Sequence, residues 1–252
     1  MSAPWSRGTC LGGLIAMAAV LSGGAGIVRP ASSEQEHPRH LPEDRAEAVM
    51  YVAIGDSTVY GIGANGAERN YVSRLYERLR SVYASARMTN LGVGGATGAD
   101  VVERQLQRAV ALRPDLVTLS IGPNDITRGR NVGEYERDIE TIFRTLLRET
   151  TGVLVVNLIP DLTLTPRFRG REEAPKVGRR VALFNEALGR QARAHGVEVV
   201  DLFSASRHEV PQRPELIATD GYHPSDQGYA RWAELMWQGV EARINSAQRA
   251  YP

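Results

Sequence analysis

One cysteine, Cys10, stands in a chain of 252 residues. It lies at the head of the chain, ahead of a weakly apolar run, so the body of the protein builds neither a disulfide nor a thiolate metal site. Lysine is as scarce. Lys176 is the only one and the other basic residues are arginines, a bias that reads as genome composition. Neither charge is in excess: 30 Lys+Arg against 29 Asp+Glu leave +1, without the electrostatic footprint that draws a protein onto phosphate backbones, which excludes nucleic acid as a partner class. A long hydrophobic run is also missing. The best candidate, from Leu11 to Leu21, contains Gly12 and Gly13 and is followed by Gly23, Gly24 and Gly26, a poor match to the about 20 apolar residues of a spanning helix. What remains, 42% hydrophobic and 23% charged residues with 25 glycines, is the composition of one ordinary globular domain.

The chain divides by composition. Residues 1–28 carry Arg7 before the apolar run and no acidic residue before Glu34, the pattern of a secretory signal peptide or, uncleaved, of an N-terminal anchor. Cys10 precedes the run, the wrong place for a lipid-modified cysteine at a cleavage site. Residues 29–47, rich in Pro, Glu, Arg and His and without hydrophobic period, read as a flexible tether in which His37 and His40 are solvated. Residues 48–248 are the domain, and an extracytoplasmic location, in the medium or at the cell envelope, is expected for it.

Inside the domain short apolar runs alternate with helical periods, which predicts an α/β protein with a parallel sheet. Five strands are expected: Met50–Gly55, Arg87–Leu91, Leu116–Ile121, Val153–Ile159 and Val197–Asp201. The first is uniformly apolar, as a strand buried on both faces is, the fourth is β-branched and apolar, and the second and fifth belong nearer the edges. Helical stripes run through Tyr71–Tyr83, Val101–Leu112, Tyr135–Leu147, Val181–Ala194 and Tyr229–Ile244. The longest irregular stretch, Pro160–Gly178, leaves the carboxyl end of a strand, where ligands bind in open α/β sheets.

Four short motifs follow the strands. Gly55-Asp56-Ser57 ends the first and puts a serine at the carboxyl edge, close to a helix start, as a nucleophile requires. Asn90-Leu91-Gly92-Val93-Gly94-Gly95 ends the second, and its glycines let backbone N–H groups approach an anion. Gly122-Pro123-Asn124-Asp125 ends the third. Asp220-Gly221-Tyr222-His223-Pro224 precedes the last helix, and His223 is the only histidine with an acidic residue three positions ahead in a constrained turn. Each motif alone reads as a turn or a helix cap. Gly61–Gly66 matches G-x-G-x-x-G, but its first glycine lies six residues past the strand and no acidic residue follows the second strand to hold a ribose, so it reads as a flexible loop.

In this order the four motifs resemble the blocks of the SGNH (GDSL-type) hydrolase superfamily, over about Tyr51 to Trp237. The resemblance implies a three-layer α/β/α, flavodoxin-like fold with a five-stranded parallel sheet, and a serine esterase working through an acyl-enzyme. It also implies the roles: Ser57 as nucleophile, His223 as general base and Asp220 orienting it. The oxyanion hole would comprise the N–H of Ser57, the N–H of Gly95 and the side-chain amide of Asn124. Gly94 is the alternative to Gly95, one residue away. The first block reads GDST rather than GDSL, a position the family varies, and some members rely less on the aspartate. Asp56 is expected to shape its turn, and Asp125 and Asp226 to cap helices. No metal and no cofactor is required, and no stable protein partner is implied. The substrate would be a small-molecule, lipid or carbohydrate ester, with only four phenylalanines favouring short or polar esters. An acyltransferase, a lysophospholipase or lipase, and a non-catalytic envelope binding module are the alternatives on the same fold.

Overall fold

The computed structural model describes residues 39–244, so the expected signal peptide and the tether up to residue 38 lie outside the described residues. Strands β1 (Met50–Gly55), β2 (Arg87–Asn90), β3 (Leu116–Ser120), β4 (Val153–Asn157) and β5 (Glu198–Val200) form one parallel sheet in the order β2-β1-β3-β4-β5. All five stand where the apolar runs place them, shorter by one or two residues at several ends. β3 and β4 are buried along their whole length and β1 at all but its first residue, whereas the edge strands β2 and β5 are partly exposed.

Helices cover both faces: α1 (Ser57–Tyr60), α2 (Tyr71–Val82), α3 (Gly98–Asp100), α4 (Leu106–Ala111), α5 (Pro123–Thr127), α6 (Val132–Glu149), α7 (Ala174–His195), α8 (Leu202–Glu209) and α9 (Asp226–Ala242). A π-helical turn, Val101–Gln105, joins α3 to α4. The two-residue strand period sorts the core into two layers. Val52, Ile54, Val117, Leu119, Leu154 and Val156 face the side carrying α4, α6 and α7, while Tyr51, Ala53, Leu116, Val153 and Val155 face α2 and α9.

Three differences from the sequence reading have local causes. α7 begins at Ala174, seven residues before the expected Val181, because Pro175 sits in its first turn, where an N–H would have no helical partner anyway. The irregular stretch after β4 therefore shrinks to residues 160–173, with a 3-10 turn at Leu162–Leu164. α8 has only one buried residue, Leu202, and hence no apolar stripe to announce it; the Asp201 carboxylate starts it by accepting the Ser204 N–H at 2.8 Å. The carboxyl end of the expected tether is packed on the domain. Leu41 is buried and donates its N–H to Arg243 O, and Arg39 binds the carbonyls of Leu147, in the last turn of α6, and Thr150, just after it.

One side chain holds the sheet's working edge. Gln105, buried in the π-helical turn, donates Nε2–H to Gly55 O and accepts Gly55 N–H, both at 2.8 Å. Gly55 itself has φ +143° and lies so close to β3 that a Cβ would stand 2.0 Å from Ser120 O, so only glycine fits. Replacing Gln105 with Leu orphans the buried Gly55 N–H and leaves Gly55 O only the Val93 N–H, at 3.1 Å, and the one orphaned group is expected to cost about 1–3 kcal/mol of unfolding free energy, measured by urea denaturation.

Candidate active site

The residue after Gly55 starts the site. Asp56 is the N-cap of α1: its Oδ1 accepts Thr58 N–H and Thr58 Oγ1–H, each at 2.9 Å, and Thr58 Oγ1 is 3.1 Å from Ser120 Oγ. Ser57 is thereby the first residue of a four-residue helix, closed by Gly61 in the left-handed region, φ 102°. The residue is 7% exposed, at the carboxyl edge of β1. Asn90 ties the second motif to this helix, donating to Val59 O at 2.7 Å and accepting Gly92 N–H at 2.9 Å.

The last motif closes over the serine. Residues 217–224 form a tight loop, pinned by Ala218 N–H to His223 O at 2.8 Å and Gly221 N–H to Ala218 O at 2.9 Å. Within it the Asp220 carboxylate accepts the N–H groups of Tyr222 and His223 at 2.9 and 3.0 Å and meets His223 Nδ1 at 2.6 Å. His223 Nε2 is 2.9 Å from Ser57 Oγ. With Asp220 accepting from Nδ1–H, Nε2 carries the lone pair and accepts the serine proton. Burial alone would raise the Asp220 pKa, but the hydrogen bonds from the His223 ring and the two N–H groups outweigh it and hold the carboxyl below the usual range. The Tyr222 ring stands edge-on to His223 at 5.0 Å, and the Arg167 guanidinium lies over the Tyr222 ring, 4.7 Å from its centroid. Thus the irregular segment after β4 is a wall of the histidine loop, also joined to it by Arg167 N–H to Gly221 O at 3.0 Å.

The third motif arrives from β3. Asn124, in the first turn of α5, donates one amide hydrogen to Ala96 O at 3.0 Å, next to Gly95, whose φ is +80°. The N–H groups of Ser57 and Gly95 donate to no acceptor among the described residues. Ser57, Gly95, Asn124, Asp220 and His223, separated by up to 166 positions in the chain, therefore belong to one edge of the sheet. Asp125, expected as a helix cap, is instead fully buried and bridges Gly98 N–H, 3.1 Å from each oxygen, to Arg130 at 2.6 Å. Burial raises its pKa against the pull of Arg130 and Gly98. Asp226 is no cap either, since Ser225 caps α9. It accepts Asn65 N–H at 2.8 Å, Asn65 Nδ2–H at 2.9 Å and Arg69 at 2.9 Å, which fixes the Gly61–Gly66 segment that reads as a flexible loop. Those bonds, Asn65 first, pull its pKa down to about 2. No His, Cys, Asp or Glu cluster able to hold a metal occurs among the described residues.

Comparison with known proteins bears on the same residues. The model of the GDSL-like lipase/acylhydrolase family matches residues 53–231, from β1 into α9. The chain belongs to this family. Family relatives include an acetylxylan esterase of Geobacillus stearothermophilus, 30% identical over 67% of this chain and 80% of its own. Esterase TesA of Pseudomonas aeruginosa is 22% identical over 78% of this chain and 90% of its own. A crystal structure of TesA matches with a TM-score of 0.63, over 76% of this chain and 98% of that one, at 22% identity. LAE5, an alpha/beta hydrolase from the metagenome of Lake Arreo, Spain, matches with a TM-score of 0.64, over 80% and 100%, at 23% identity. The family makes the protein a serine ester hydrolase.

The sequence reading left out Gln105 and Arg167, and it quoted Asn90 and Tyr222 within their motifs without giving either a role. Gln105 and Asn90 act on backbone groups, and a glutamine in a helical stripe carries no signal of a contact 50 positions away. Asp56 was read as structural and does accept Thr58 N–H, yet its Oδ2 is buried without a partner. Burial pushes its pKa up to about 6, against the hydrogen bonds of Thr58 and the field of His223. An acid whose pKa rises on folding binds more protons folded than unfolded between its unfolded value and 6, so stability falls as pH rises through that window. Asp56→Asn keeps the shape without the charge. The stability of Asp56→Asn relative to wild type is expected to increase by roughly 2 kcal/mol between pH 4 and pH 7, measured by denaturation at each pH.

Proposed function

We propose that Ser57 attacks the carbonyl carbon of a carboxylic ester. The observation that carries this reading is the unbroken relay of hydrogen bonds from Asp220 through His223 to Ser57 Oγ, 2.6 and 2.9 Å long. His223 Nε2 takes the serine proton as the Oγ–C bond forms. The carbonyl oxygen becomes an oxyanion, met by the N–H of Ser57, the N–H of Gly95 and the remaining amide hydrogen of Asn124. His223 then protonates the alcohol oxygen, the C–O bond breaks and the acyl group stays on Ser57. Water, deprotonated by the same nitrogen, releases the acid and restores the serine. Asp220 holds the ring and stabilises the imidazolium; it stays ionised throughout.

Short or polar esters are the proposed substrates, a reading supported by the relative named an acetylxylan esterase. The N-terminal residues 1–28 support export of the enzyme, with retention by an uncleaved N-terminal anchor as the other outcome of the same segment. N-terminal sequencing of the protein recovered from culture medium is expected to start near residue 29, and recovery only in the membrane fraction, with residues 1–28 intact, supports the anchor.

Turnover of p-nitrophenyl acetate tests the chemistry. Ser57→Ala is expected to remove it. Asn124→Ala is expected to lower kcat by about 100- to 1000-fold with a much smaller change in KM, because the amide serves the transition state. Asp220→Ala is expected to retain more activity than His223→Ala: the Asp220 side chain is 41% exposed, so water can take its place against Nδ1. A KM effect alone for Asn124→Ala removes that residue from the oxyanion hole.

A further inference from the structure

The Gly94-Gly95 corner has a charged flank that none of the proposed chemistry uses. A Cβ on Gly95 would stand 3.0 Å from Arg128 Nη2, so the guanidinium lies against the face that glycine leaves open, within about 5.5 Å of the Gly95 nitrogen. Arg128 is tied to the third motif as well, its backbone N–H donating to Asn124 O at 3.0 Å. Its side chain is exposed and makes no hydrogen bond or ion pair among the described residues. Asp100 feels its field but is engaged elsewhere: Oδ2 accepts Thr97 N–H at 2.9 Å and Thr97 Oγ1–H at 2.7 Å, and Oδ1 faces Arg104 at 3.9 Å. Two further arginines around the site are spent within the protein. Arg167 lies over the rings of Tyr222 and Phe168, at 4.7 and 5.4 Å, and Arg130 grips Asp125 and Asp138 at 2.6 and 2.7 Å. Of these three, Arg128 alone presents an open fork of N–H donors, the geometry that takes a carboxylate or a phosphate. Next to it the corner is apolar: a Cβ on Gly94 would stand 3.3 Å from Ile62 Cδ1, and Tyr60, Ile62 and Val93 are exposed.

We propose that Arg128 selects esters whose alcohol part carries an anionic group, a carboxylate or a phosphate. The proposal rests on Ser57 being the nucleophile, with Gly95 and Asn124 meeting the oxyanion. The acyl group stays on Ser57 while the alcohol departs, so the alcohol belongs to the side open to solvent, and Arg128, Tyr60, Ile62 and Val93 are exposed there. The cavity with Thr58, Pro123 and His223 among its walls has no free cation to offer an anion, since its Arg231 is paired with Glu209. Arg128 touches the substrate away from the bonds that form and break. It therefore governs which ester is held, chiefly through KM, and leaves the chemical steps to the relay.

The test measures kcat/KM of the full chain, wild type, Arg128→Gln and Arg128→Lys, on p-acetoxybenzoate, p-acetoxyphenyl phosphate, the neutral p-acetoxybenzamide and p-nitrophenyl hydrogen succinate, whose anion is on the acyl side. Each anionic ester is referred to the benzamide and the ratio is compared between proteins, so that leaving-group reactivity cancels. Arg128→Gln is expected to lower the ratio for the benzoate or the phosphate about tenfold, the larger loss identifying the anion. Its turnover of the benzamide is expected to stay within about twofold, which also shows that the variant folds. Arg128→Lys keeps the charge without the fork and is expected to recover part of the ratio. Raising NaCl from about 20 mM to about 500 mM is expected to erode the ratio of the wild type and not that of Arg128→Gln. An unchanged ratio in Arg128→Gln, or a larger loss on the succinate ester than on either alcohol-side anion, overturns the inference and leaves the esterase reading intact. If Ser57→Ala keeps its turnover of the benzamide, the nucleophile assignment fails instead. The anion site is then read without turnover, from calorimetric binding of p-hydroxybenzoate: binding that Arg128→Gln weakens about tenfold upholds it, and equal or absent binding ends the proposal.

Discussion

Everything at the reacting edge depends on how closely β1 and β3 approach each other at Gly55. No side chain fits between that residue and Ser120 O, and the backbone groups left over at the strand end are taken by one buried glutamine. Because β1 stops there, Asp56 can turn the chain and cap α1 within a single residue, which delivers Ser57 to the sheet's edge with a free N–H. A shift of one residue in the β1–β3 register would set a side chain into β3 and carry the serine to the opposite face of its strand.

The histidine is brought to that serine from far along the chain by a different device. Its loop carries its own carboxylate, so Asp220 orders the backbone through two N–H groups before it orders the imidazole. Positioning and electrostatics come from the same four residues. The ring's approach to Ser57 is then a matter of how α9 sits, and α9 is fixed by the Tyr71–Trp232 stack at 5.5 Å and by Asp226, whose bonds to Asn65 and Arg69 join it to the segment following α1. The same segment that could be mistaken for a nucleotide-binding turn is therefore a brace between nucleophile and base.

Two carboxylates close to the serine live in opposite environments. Asp220 is partly exposed and richly hydrogen-bonded, which keeps it ionised. Asp56 is fully buried with one oxygen unpartnered, and folding works against its charge. The difference assigns them different work: a charged partner for an imidazolium must stay charged across the working pH, whereas a turn is held by either form of the acid. The cavity beside the histidine loop, with Thr58, Pro123 and His223 among its walls, is apolar for a related reason: Arg231 and Glu209 of its wall are paired to each other, and Asp161 accepts from Thr163.

Apolar runs, helical stripes and four motifs in order were enough by themselves to determine the strands, the parallel sheet and the family, because strand burial and turn chemistry are local properties of a sequence. Even the placing of the second and fifth strands at the edges followed from their shorter and more polar runs. Tertiary structure alone decided what those signals could not contain. Gln105 and Asn90 act on backbone groups of distant elements, so their composition is that of any helix or turn. Asp125 and Asp226 looked like caps because the alternative partners, Gly98, Arg130, Asn65 and Arg69, come near them only once the helices have docked. The early start of α7 rests on Pro175 in its first turn and the existence of α8 on a single capping carboxylate, rather than on periodicity. A cavity is the extreme case: its walls come from six separate segments, and empty space has no representation in a linear chain until those segments are folded around it.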